Sequence, residues 1–438
     1  MHTSQLIKPG YVEQVVYYDS SSAYTGLTAG TAARPVNNET DMRAICTARS
    51  IERIVLRGTA TVLQFTSALT GIDFAGEGIG GLTPTVDFNG QAIGCTFSNL
   101  RITNTVGTNL VSVSEFTNCD ILMVIAHTVG GSNYRGCRFA AAGVTNPPLG
   151  IINCYDDCIA FGNLTNTTGT INIVGNIHIV GTLSNTTGPI NVWGNLRVDI
   201  NLTDTTGAIR IYGDCAIGND ISISDLGSIY IYGNCLVIGD IVGATGIIHI
   251  SGNCYVGMQM TTGNKILILG NCQVGTNVLL YDVSDSYAPL LDIYGNCLVG
   301  GDFDSWKGGT VIHNNCQVGG AITIDPLCGI TVLGELQVST TITNKNHLHG
   351  FTRLTAPTAF LYLGLSATSL TERIVSRGNL SVRQMVAGAT AIIDLCGGTL
   401  TIAATCTGGT IDLYGDCMLT DLAGGAVTVN DYRVPGHA

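Results

Sequence analysis

Three pairs of aspartates are close enough in the sequence to be candidates for the two acids of a glycan-cleaving site. Glycoside cleavage needs two carboxyl groups roughly 5–10 Å apart on one face. The pairs are Asp156 with Asp157, Asp282 with Asp285 and Asp302 with Asp304, and the aromatic residues near the last two pairs are Tyr287 and Trp306. Close aspartates are also ordinary turn residues, and the central repeats nearly lack the Lys and Arg that lyase chemistry needs. We therefore predict no catalytic residue and no enzymatic activity, with polysaccharide cleavage as the alternative.

Two histidines form the segment His347-Leu-His349. If three copies of the chain met on an axis, six imidazoles would converge there, and imidazole suits several transition metals. The other interpretation is a pair of surface histidines in a polar linker, and the sequence favours it. We expect no cofactor and no bound metal, and His347 and His349 are the candidate ligands should a metal be present.

Six of the sixteen cysteines recur at one position of an internal repeat: Cys215, Cys235, Cys254, Cys272, Cys297 and Cys316. Earlier repeats place Ile177 and Leu196 at that position, which indicates a small buried hydrophobe and a ladder of reduced thiols. Two alternatives stay open, namely strained disulfides between stacked repeats and subunit links through outward cysteines. The candidates for outward cysteines are Cys46, Cys119, Cys137 and Cys158. No Cys-x-x-Cys pair occurs, so zinc is not predicted.

A column of asparagines precedes the cysteine position. Its members are Asn176, Asn195, Asn234, Asn253, Asn271, Asn296 and Asn315, with Asp214 at the equivalent place in one repeat. Stacked side-chain amides can hydrogen-bond from one repeat to the next. We interpret Asn234, Asn253, Asn271 and Asn296, like the cysteines beside them, as a structural ladder.

The elements that carry these residues repeat about every nineteen residues. The repeat glycines are Gly175, Gly194, Gly213, Gly233, Gly252, Gly270 and Gly295. Each follows an Ile-x-Ile-x or similar run, as in Ile229-Tyr-Ile-Tyr-Gly-Asn-Cys235. A fixed period near twenty is typical of stacked identical units.

Three apolar anchors per period predict a three-sided coil. Ile171, Ile177, Leu183 and Ile190 are spaced by six, six and seven residues, and the later repeats keep that spacing. Many anchors have an apolar partner two residues on, which is the strand signature. We predict an all-β, single-stranded parallel β-helix of about nineteen residues per coil, and about twenty coils at roughly 4.8 Å each would extend on the order of 100 Å. The competing fold is a β-sandwich, which has no reason to keep this spacing.

Scarce charge predicts that the chain associates with itself. Only 11% of the 438 residues are charged, against roughly 25% in typical domains. Aromatic side chains recur at an outward position of the repeat, and an apolar stripe of this kind is expected to be covered. The residues that we assign to a subunit seam are Trp193, Tyr212, Tyr232 and Tyr294.

The charge balance and the chain start argue against several partners. The formal net charge is −12, so no basic footprint for nucleic acid is expected. The opening residues lack the apolar region of a secretory signal, and no run of about eighteen apolar residues predicts a membrane span. We expect synthesis in the cytosol and no membrane insertion.

The pattern divides the chain into three predicted segments. Residues 1–50 hold a strand, a loop and a capping helix over 38–50, with Thr40 as the predicted N-cap. Residues 51–340 form the main β-helix, and residues 341–438 form a linker and a shorter β-helical module. A sequence motif near the start of the second segment, Glu52-Arg-Ile-Val-Leu-Arg-Gly58, recurs in the third segment as Glu372-Arg-Ile-Val-Ser-Arg-Gly378.

The segment Thr31-Ala-Ala-Arg-Pro-Val-Asn-Asn-Glu-Thr-Asp-Met, followed by a short helix and Ile-Val-Leu-Arg-Gly58, resembles the opening of phage virion proteins with pectin-lyase-like β-helices. The Ile-x-Ile-x-Gly-Asn coils are similar to the shafts of tail fibres, spikes and neck appendages. This resemblance implies a homotrimer that is attached to a virion. The chain departs from depolymerising spikes in lacking large receptor-binding loops and a convincing acid pair.

The sequence therefore favours a structural protein of a tailed phage, a trimeric β-helical fibre, spike or collar appendage. Its expected partners are two further copies of itself, other virion proteins at one end of the β-helix, and, as a further candidate, a host surface glycan. The alternatives are a polysaccharide depolymerase tailspike and a bacterial surface adhesin. The expected location is the virion.

Overall fold

Strands that lie about nineteen residues apart in the sequence pair in parallel. Ile171 of one strand pairs with Ile190 of the next, and Ile190 pairs with Ile209. The same parallel pairing joins Ile229 to Ile248. This confirms the predicted all-β parallel solenoid with about nineteen residues per turn.

The computed structural model describes residues 14–27, 29–58, 62–65, 69–77, 83–88, 92–103, 109–112, 114–122, 125–127, 130–139, 144–146, 150–224, 226–243, 246–263, 265–280, 289–306, 308–324, 328–344, 347–349, 353–363, 373–376, 379–387, 392–396, 398–407, 410–414, 417–422 and 428–432. These residues fall into two compact units. Unit 1 comprises Met1–Asn201 and Gly207–Tyr212, and unit 2 comprises Leu202–Thr206 and Gly213–Ala438. The predicted boundaries at residues 50 and 340 stay predictions.

Each coil has three walls, which we name by their place in the repeat. Wall A precedes the Gly-Asn corner, wall B begins directly after it, and wall C completes the coil. In early coils without a Gly-Asn corner, a strand takes the name of the wall with which it pairs.

Unit 1 contains the following strands. Wall A has Val15–Tyr18, Arg53–Arg57, Asp73–Glu77, Thr96–Ser98, Glu115–Thr117, Gly130–Arg135, Gly150–Tyr155, Thr170–Val174, Pro189–Val192 and Ala208–Ile211. Wall B has Val62–Phe65, Thr85–Phe88, Arg101–Thr103, Asp120–Ile121, Arg138–Phe139, Cys158–Ala160, Ile177–Ile179 and Leu196–Val198. Wall C has Leu69–Thr70, Ala92–Ile93, Asn109–Ser112, Ile125–His127, Val144–Asn146, Leu164–Asn166 and Leu183–Asn185.

Unit 2 repeats the arrangement. Wall A has Ser228–Ile231, Ile247–Ile250, Ile266–Ile268, Pro289–Ile293, Gly308–Ile312, Cys328–Val332, His347–His349, Arg373–Ser376, Ile392–Leu395, Thr410–Leu413 and Thr428–Asp431. Wall B has Cys215–Ile217, Cys235–Val237, Cys254–Val256, Cys272–Val274, Cys297–Val299, Cys316–Val318 and Glu335–Val338. Wall C has Leu202–Asp204, Ile221–Ile223, Ile241–Gly243, Met260–Thr262, Val278–Leu280, Phe303–Ser305, Ile322–Ile324 and Thr341–Asn344. Longer strands span Arg353–Leu363, Asn379–Ala387, Gly398–Thr407 and Cys417–Leu422.

The alternation of side chains explains why the coil closes around an apolar core. In the wall A strand of unit 2, Ile229 and Ile231 are buried whereas Tyr230 between them is half-buried. The same alternation places Cys235 and Val237 inside on wall B. Full burial of one aliphatic side chain stabilises a fold by about 1.5–3 kcal/mol. Each coil buries several such side chains, and each of them adds to the stability.

The α-helix Glu39–Arg49 packs beside the first coil of unit 1. Met42 and Ile45 are its buried residues, and the helix contacts the strands Val15–Tyr18 and Val62–Phe65. The predicted N-cap Thr40 is wrong, because the cap is Asn38, whose Oδ1 accepts the backbone N–H of Asp41 at 2.8 Å. Asn38 has extended backbone while Thr40 is already helical, so Thr40 lies too far along the chain to cap the helix.

Close backbone approach explains the repeat glycine in unit 2. A Cβ atom at Gly252 would lie 2.5 Å from the carbonyl oxygen of Gly233 in the preceding coil. That backbone carbonyl cannot move aside without breaking the corner. Glycine is therefore required where coils stack at this corner.

Among the described residues, no helix combines the length and the apolar composition that a membrane crossing requires.

Candidate functional site: side-chain columns of the two units

The six repeat cysteines stack in one column on the inner side of wall B in unit 2. Parallel register pairs Cys215 with Cys235, Cys235 with Cys254, and Cys254 with Cys272, and the column continues through Cys297 and Cys316. All six are only 2–3% exposed. The backbone keeps this register, because the N–H of each cysteine from Cys215 to Cys297 donates to a carbonyl of the next coil, as from Cys254 to Asn271 O at 2.8 Å.

Hydrogen bonds along this column shift the thiol pKa values in both directions. The bonds to Cys215 and Cys254 lower the pKa of Cys235 to about 5, and the bonds to Cys272 and Cys316 lower the pKa of Cys297. Hydrogen bonding to Cys235 and Cys272, followed by desolvation, raises the pKa of Cys254 well above its usual value. The pKa of Cys316 is raised in the same way, first by its hydrogen bond to Cys297 and then by burial. A thiolate surrounded by isoleucines would be poorly solvated. The column is therefore a continuous chain of hydrogen-bonded thiols, and burial of the whole column favours the neutral form of each thiol.

The prediction of outward cysteines in unit 1 is wrong for three of the four residues. Cys119, Cys137 and Cys158 are buried, and only Cys46 is partly exposed. Cys158 pairs in register with Ile177, so these cysteines occupy the same inner position as the later aliphatic residues. Burial raises the pKa of Cys46 to about 11, although Arg43 opposes that shift.

The predicted asparagines in unit 2 form hydrogen bonds from coil to coil at the corner between wall A and wall B. The Asn253 N–H donates to Oδ1 of Asn234 at 3.0 Å, and the Asn271 N–H donates to Oδ1 of Asn253 at 2.9 Å. Asn296 continues the series on Asn271 at 2.9 Å. Each side-chain oxygen thus satisfies a corner N–H that has no strand partner, which a continuous stack of turns requires.

A second polar column, which was not predicted from the sequence, lies at the B–C corner of unit 2. Oδ1 of Asp220 accepts the Asp240 N–H, and Oδ1 of Asp240 accepts the Gln259 N–H, both at 2.8 Å. Asp302, one of the aspartates considered for catalysis, accepts the Ala321 N–H at 2.7 Å in the same way. The signal for this column in the sequence is the polar residue directly before most wall C anchors, as with Asp220, Asp240 and Asp302.

The predicted seam residues lie at the end of wall A and are about half exposed, with Trp193 at 49% and Tyr232 at 46%. In unit 1 the rings of Trp193 and Tyr212 stack with centroids 5.9 Å apart. In unit 2 the ring of Tyr294 stacks on His313 at 4.0 Å. Their role as a subunit seam stays a prediction.

An amide column, which was not predicted either, runs along the outer face of wall A in unit 1. Asn191 donates to Asn172 at 3.1 Å, and Asn172 donates to Asn153 at 3.0 Å. Asn153 then donates to Asn133 at 2.9 Å. Asn133 donates to the carboxylate of Glu115 at 3.3 Å, so the column ends on a charged acceptor.

A small groove lies at the Glu115 end of this amide column. It has a volume of about 110 Å³, and its lining residues are Glu115, Phe116, Thr117, Asn133, Arg135 and Tyr155. The guanidinium of Arg135 lies over the Tyr155 ring at 5.1 Å and 3.4 Å from the Asp156 carboxylate. An acid, an amide, a guanidinium and an aromatic ring are thus brought together on one face.

The other predicted chemical residues are distributed as follows. Asp157 lies at a corner, where its Oδ1 accepts a hydrogen bond from Nδ2 of Asn176 at 3.0 Å. Asp304 lies on wall C, beside a Trp306 that is 60% exposed. Asp282, Asp285 and Tyr287 lie outside the described residues. His347 and His349 belong to a wall A strand that pairs with Gly329–Thr331, and their side chains lie outside the described part of the chain.

Within the described part of the chain, no group of three or more His, Cys, Asp or Glu side chains is arranged to hold a metal ion. In comparisons with known proteins, no family model matches the chain, no curated protein matches it, and no solved structure matches its fold.

Proposed function

We propose that the protein is a structural component of a tailed-phage virion, a homotrimeric β-helical fibre, spike or collar appendage. The observation that carries this proposal is the coil stacking itself. The parallel register repeats from coil to coil with buried Ile and Cys columns inside and hydrogen-bonded corners outside. The stability of such a solenoid comes from the coils and from the interfaces between neighbouring coils, so it is distributed along the stack.

Half-exposed aromatic residues support trimer formation. Large aromatic side chains are enriched at the centres of interfaces, where they lose contact with water on association. Trp193, Tyr212, Tyr232 and Tyr294 each expose a ring at the same place in the repeat. In a trimer, the exposed rings of each unit would pack against a neighbouring copy.

Light scattering after gel filtration tests the oligomeric state. The proposal expects three times the mass of one 45.7 kDa chain. The double variant Tyr232→Lys/Tyr294→Lys should dissociate, since burial of a lysine without a partner is unfavourable. A matched control, Gln317→Lys at an exposed wall B position, should remain trimeric. A monomeric wild type would contradict the trimer.

The virion location requires a separate test. Mass spectrometry of purified particles from a producing host should detect the protein at a fixed copy number per particle. Gold-labelled antibodies should place it on an appendage. Its absence from purified particles would contradict a virion role even if the chain is trimeric.

Glycan cleavage is the second candidate function, and the groove beside Glu115 favours it, with Asp156, 3.4 Å from the Arg135 guanidinium, as the candidate for the second carboxylate. A carboxylate, Arg135 and the Tyr155 ring can together contact a sugar hydroxyl and a sugar face. Incubation with host polysaccharide should release new reducing ends if the groove hydrolyses glycan, and Glu115→Gln should abolish the release. Unchanged polysaccharide would leave only the structural function.

A further inference from the structure

We propose that the thiol column of unit 2, formed by Cys215, Cys235, Cys254, Cys272, Cys297 and Cys316, binds soft monovalent d10 cations, with Cu(I) as the ligand in a reducing cytosol. This inference is independent of the proposed virion function. It differs from the sequence-based expectation that no metal binds.

The geometry supplies ordered sulfur pairs. Each cysteine of the column faces its register neighbour in the next coil, and adjacent strands are about 4.8 Å apart. Neighbouring thiols along the column act as hydrogen-bond partners of one another. An ion between two coils would therefore find one sulfur atom on either side of it.

The donor set selects the class of ion. Soft thiolate ligands favour Cu(I) over harder divalent ions. A tetrahedral zinc site needs four converging ligands, whereas the described residues contain no converging group of even three. Monovalent d10 ions accept two sulfur ligands in a line, and a one-dimensional column can offer that arrangement.

Charge balance explains how an ion could reside in an apolar core. Each entering Cu(I) forms bonds to sulfur while one S–H bond breaks and its proton leaves to the buffer, so no electron is transferred. Five ions in the five gaps between six thiols replace five protons, and the sixth thiol stays protonated. The loaded column is then neutral, as burial among isoleucines requires.

Two triple variants separate binding by the column from binding by thiols in general. Cys235→Val/Cys272→Val/Cys316→Val removes every adjacent pair but keeps three cysteines of the column. Cys215→Val/Cys235→Val/Cys254→Val also removes three cysteines but keeps the adjacent series Cys272, Cys297 and Cys316. Valine is close in volume to the Ile and Leu that fill this position at Ile177 and Leu196, so both variants should fold. The remaining cysteines of the chain are the same in both.

The experiment counts bound ions by anaerobic native mass spectrometry. Cu(I) is supplied as its acetonitrile complex with a competing chelator, either to the folded protein or during production in cells, and Ag(I) is the second probe. Near-ultraviolet metal–thiolate absorption reports sulfur ligation. Circular dichroism shows whether each variant is folded.

The proposal expects the alternating variant to lose up to five ions relative to wild type. The contiguous variant should lose three and keep two. Equal ion counts in the two folded variants would overturn the proposal, because thiol number rather than adjacency would then control binding. A wild type that binds no more ions than the alternating variant by either loading route would overturn it as well.

Discussion

The inner column of wall A is aromatic in the early coils of unit 1 and aliphatic in unit 2. Phe74, Phe97, Phe116 and Tyr134 pair in register, and the successive ring centroids are 5.2, 4.9 and 4.8 Å apart. The equivalent unit 2 positions hold aliphatic residues, as in the pair Ile231 and Ile250. One backbone ladder therefore accepts two kinds of core, provided that each column repeats its own residue type.

The polar columns differ between the units in the same manner. In unit 2, Asn253 accepts a backbone N–H from the next coil, so its side chain completes the main-chain hydrogen bonding of a corner. On wall A of unit 1, Asn172 bonds to the neighbouring amides of Asn153 and Asn191. We infer that the corner amides contribute to the stability of the coil, whereas the wall A amides mainly shape the surface.

The largest expected effect is the difference in lost stability when a core residue is truncated in the aromatic column of unit 1 and in the thiol column of unit 2. Phe116→Ala should destabilise its coils by about 3–5 kcal/mol, the usual cost of removing a buried aromatic ring. Cys254→Ala in the thiol column should cost only about 1 kcal/mol, since the lost sulfur is comparable to one buried methylene. Hydrogen exchange of amides in the flanking coils measures both opening free energies. Equal losses would mean that the aromatic stack adds nothing to the early coils.

A smaller effect is expected at the glycine corner. Gly252→Ala places a Cβ atom 2.5 Å from Gly233 O, and overpacking of this kind costs about 1–3 kcal/mol. The neighbouring Ser251→Ala should change stability by less than about 0.5 kcal/mol, because Ser251 lies on the outer side of the coil. The same exchange measurement compares the two variants. A neutral Gly252→Ala would show that the coils are further apart at this corner.

The smallest effect compares the two amide columns. Asn253→Ala leaves the Asn271 N–H without its protein acceptor and should cost about 0.5–1.5 kcal/mol. Asn253→Asp keeps the acceptor, as Asp214 does in its own coil, and should retain most of the stability. Asn172→Ala should cost less than Asn253→Ala, because no described backbone donor depends on it. If Asn172→Ala costs more, the assignment of roles to the two columns is reversed.

The regular coils could be predicted well from the sequence for a physical reason. Where Ile, Gly and Asn recur at fixed steps, each residue type occupies one position of the coil. The repeat alone therefore aligns Ile229 with Ile248. The early coils lack that regularity, and their spacing does not predict the stacking of Phe97 on Phe116. The amide column through Asn172 was missed because an outward strand position tolerates many residue types. The burial of Cys137 was missed although Cys119, Cys137 and Cys158 recur at steps of 18 and 21 residues, because these coils lack the Ile-x-Ile-x-Gly-Asn motif that marks the corner.

Sulfur anomalous scattering from crystals of the protein tests the central claim most directly. If successive coils stack in parallel register, the six sulfur atoms of Cys215, Cys235, Cys254, Cys272, Cys297 and Cys316 must lie in one line, with neighbours separated by roughly the 4.8 Å spacing of paired strands. The account predicts six evenly spaced peaks inside the coil. Scattered peaks, or sulfur atoms on the solvent side of wall B, would contradict it.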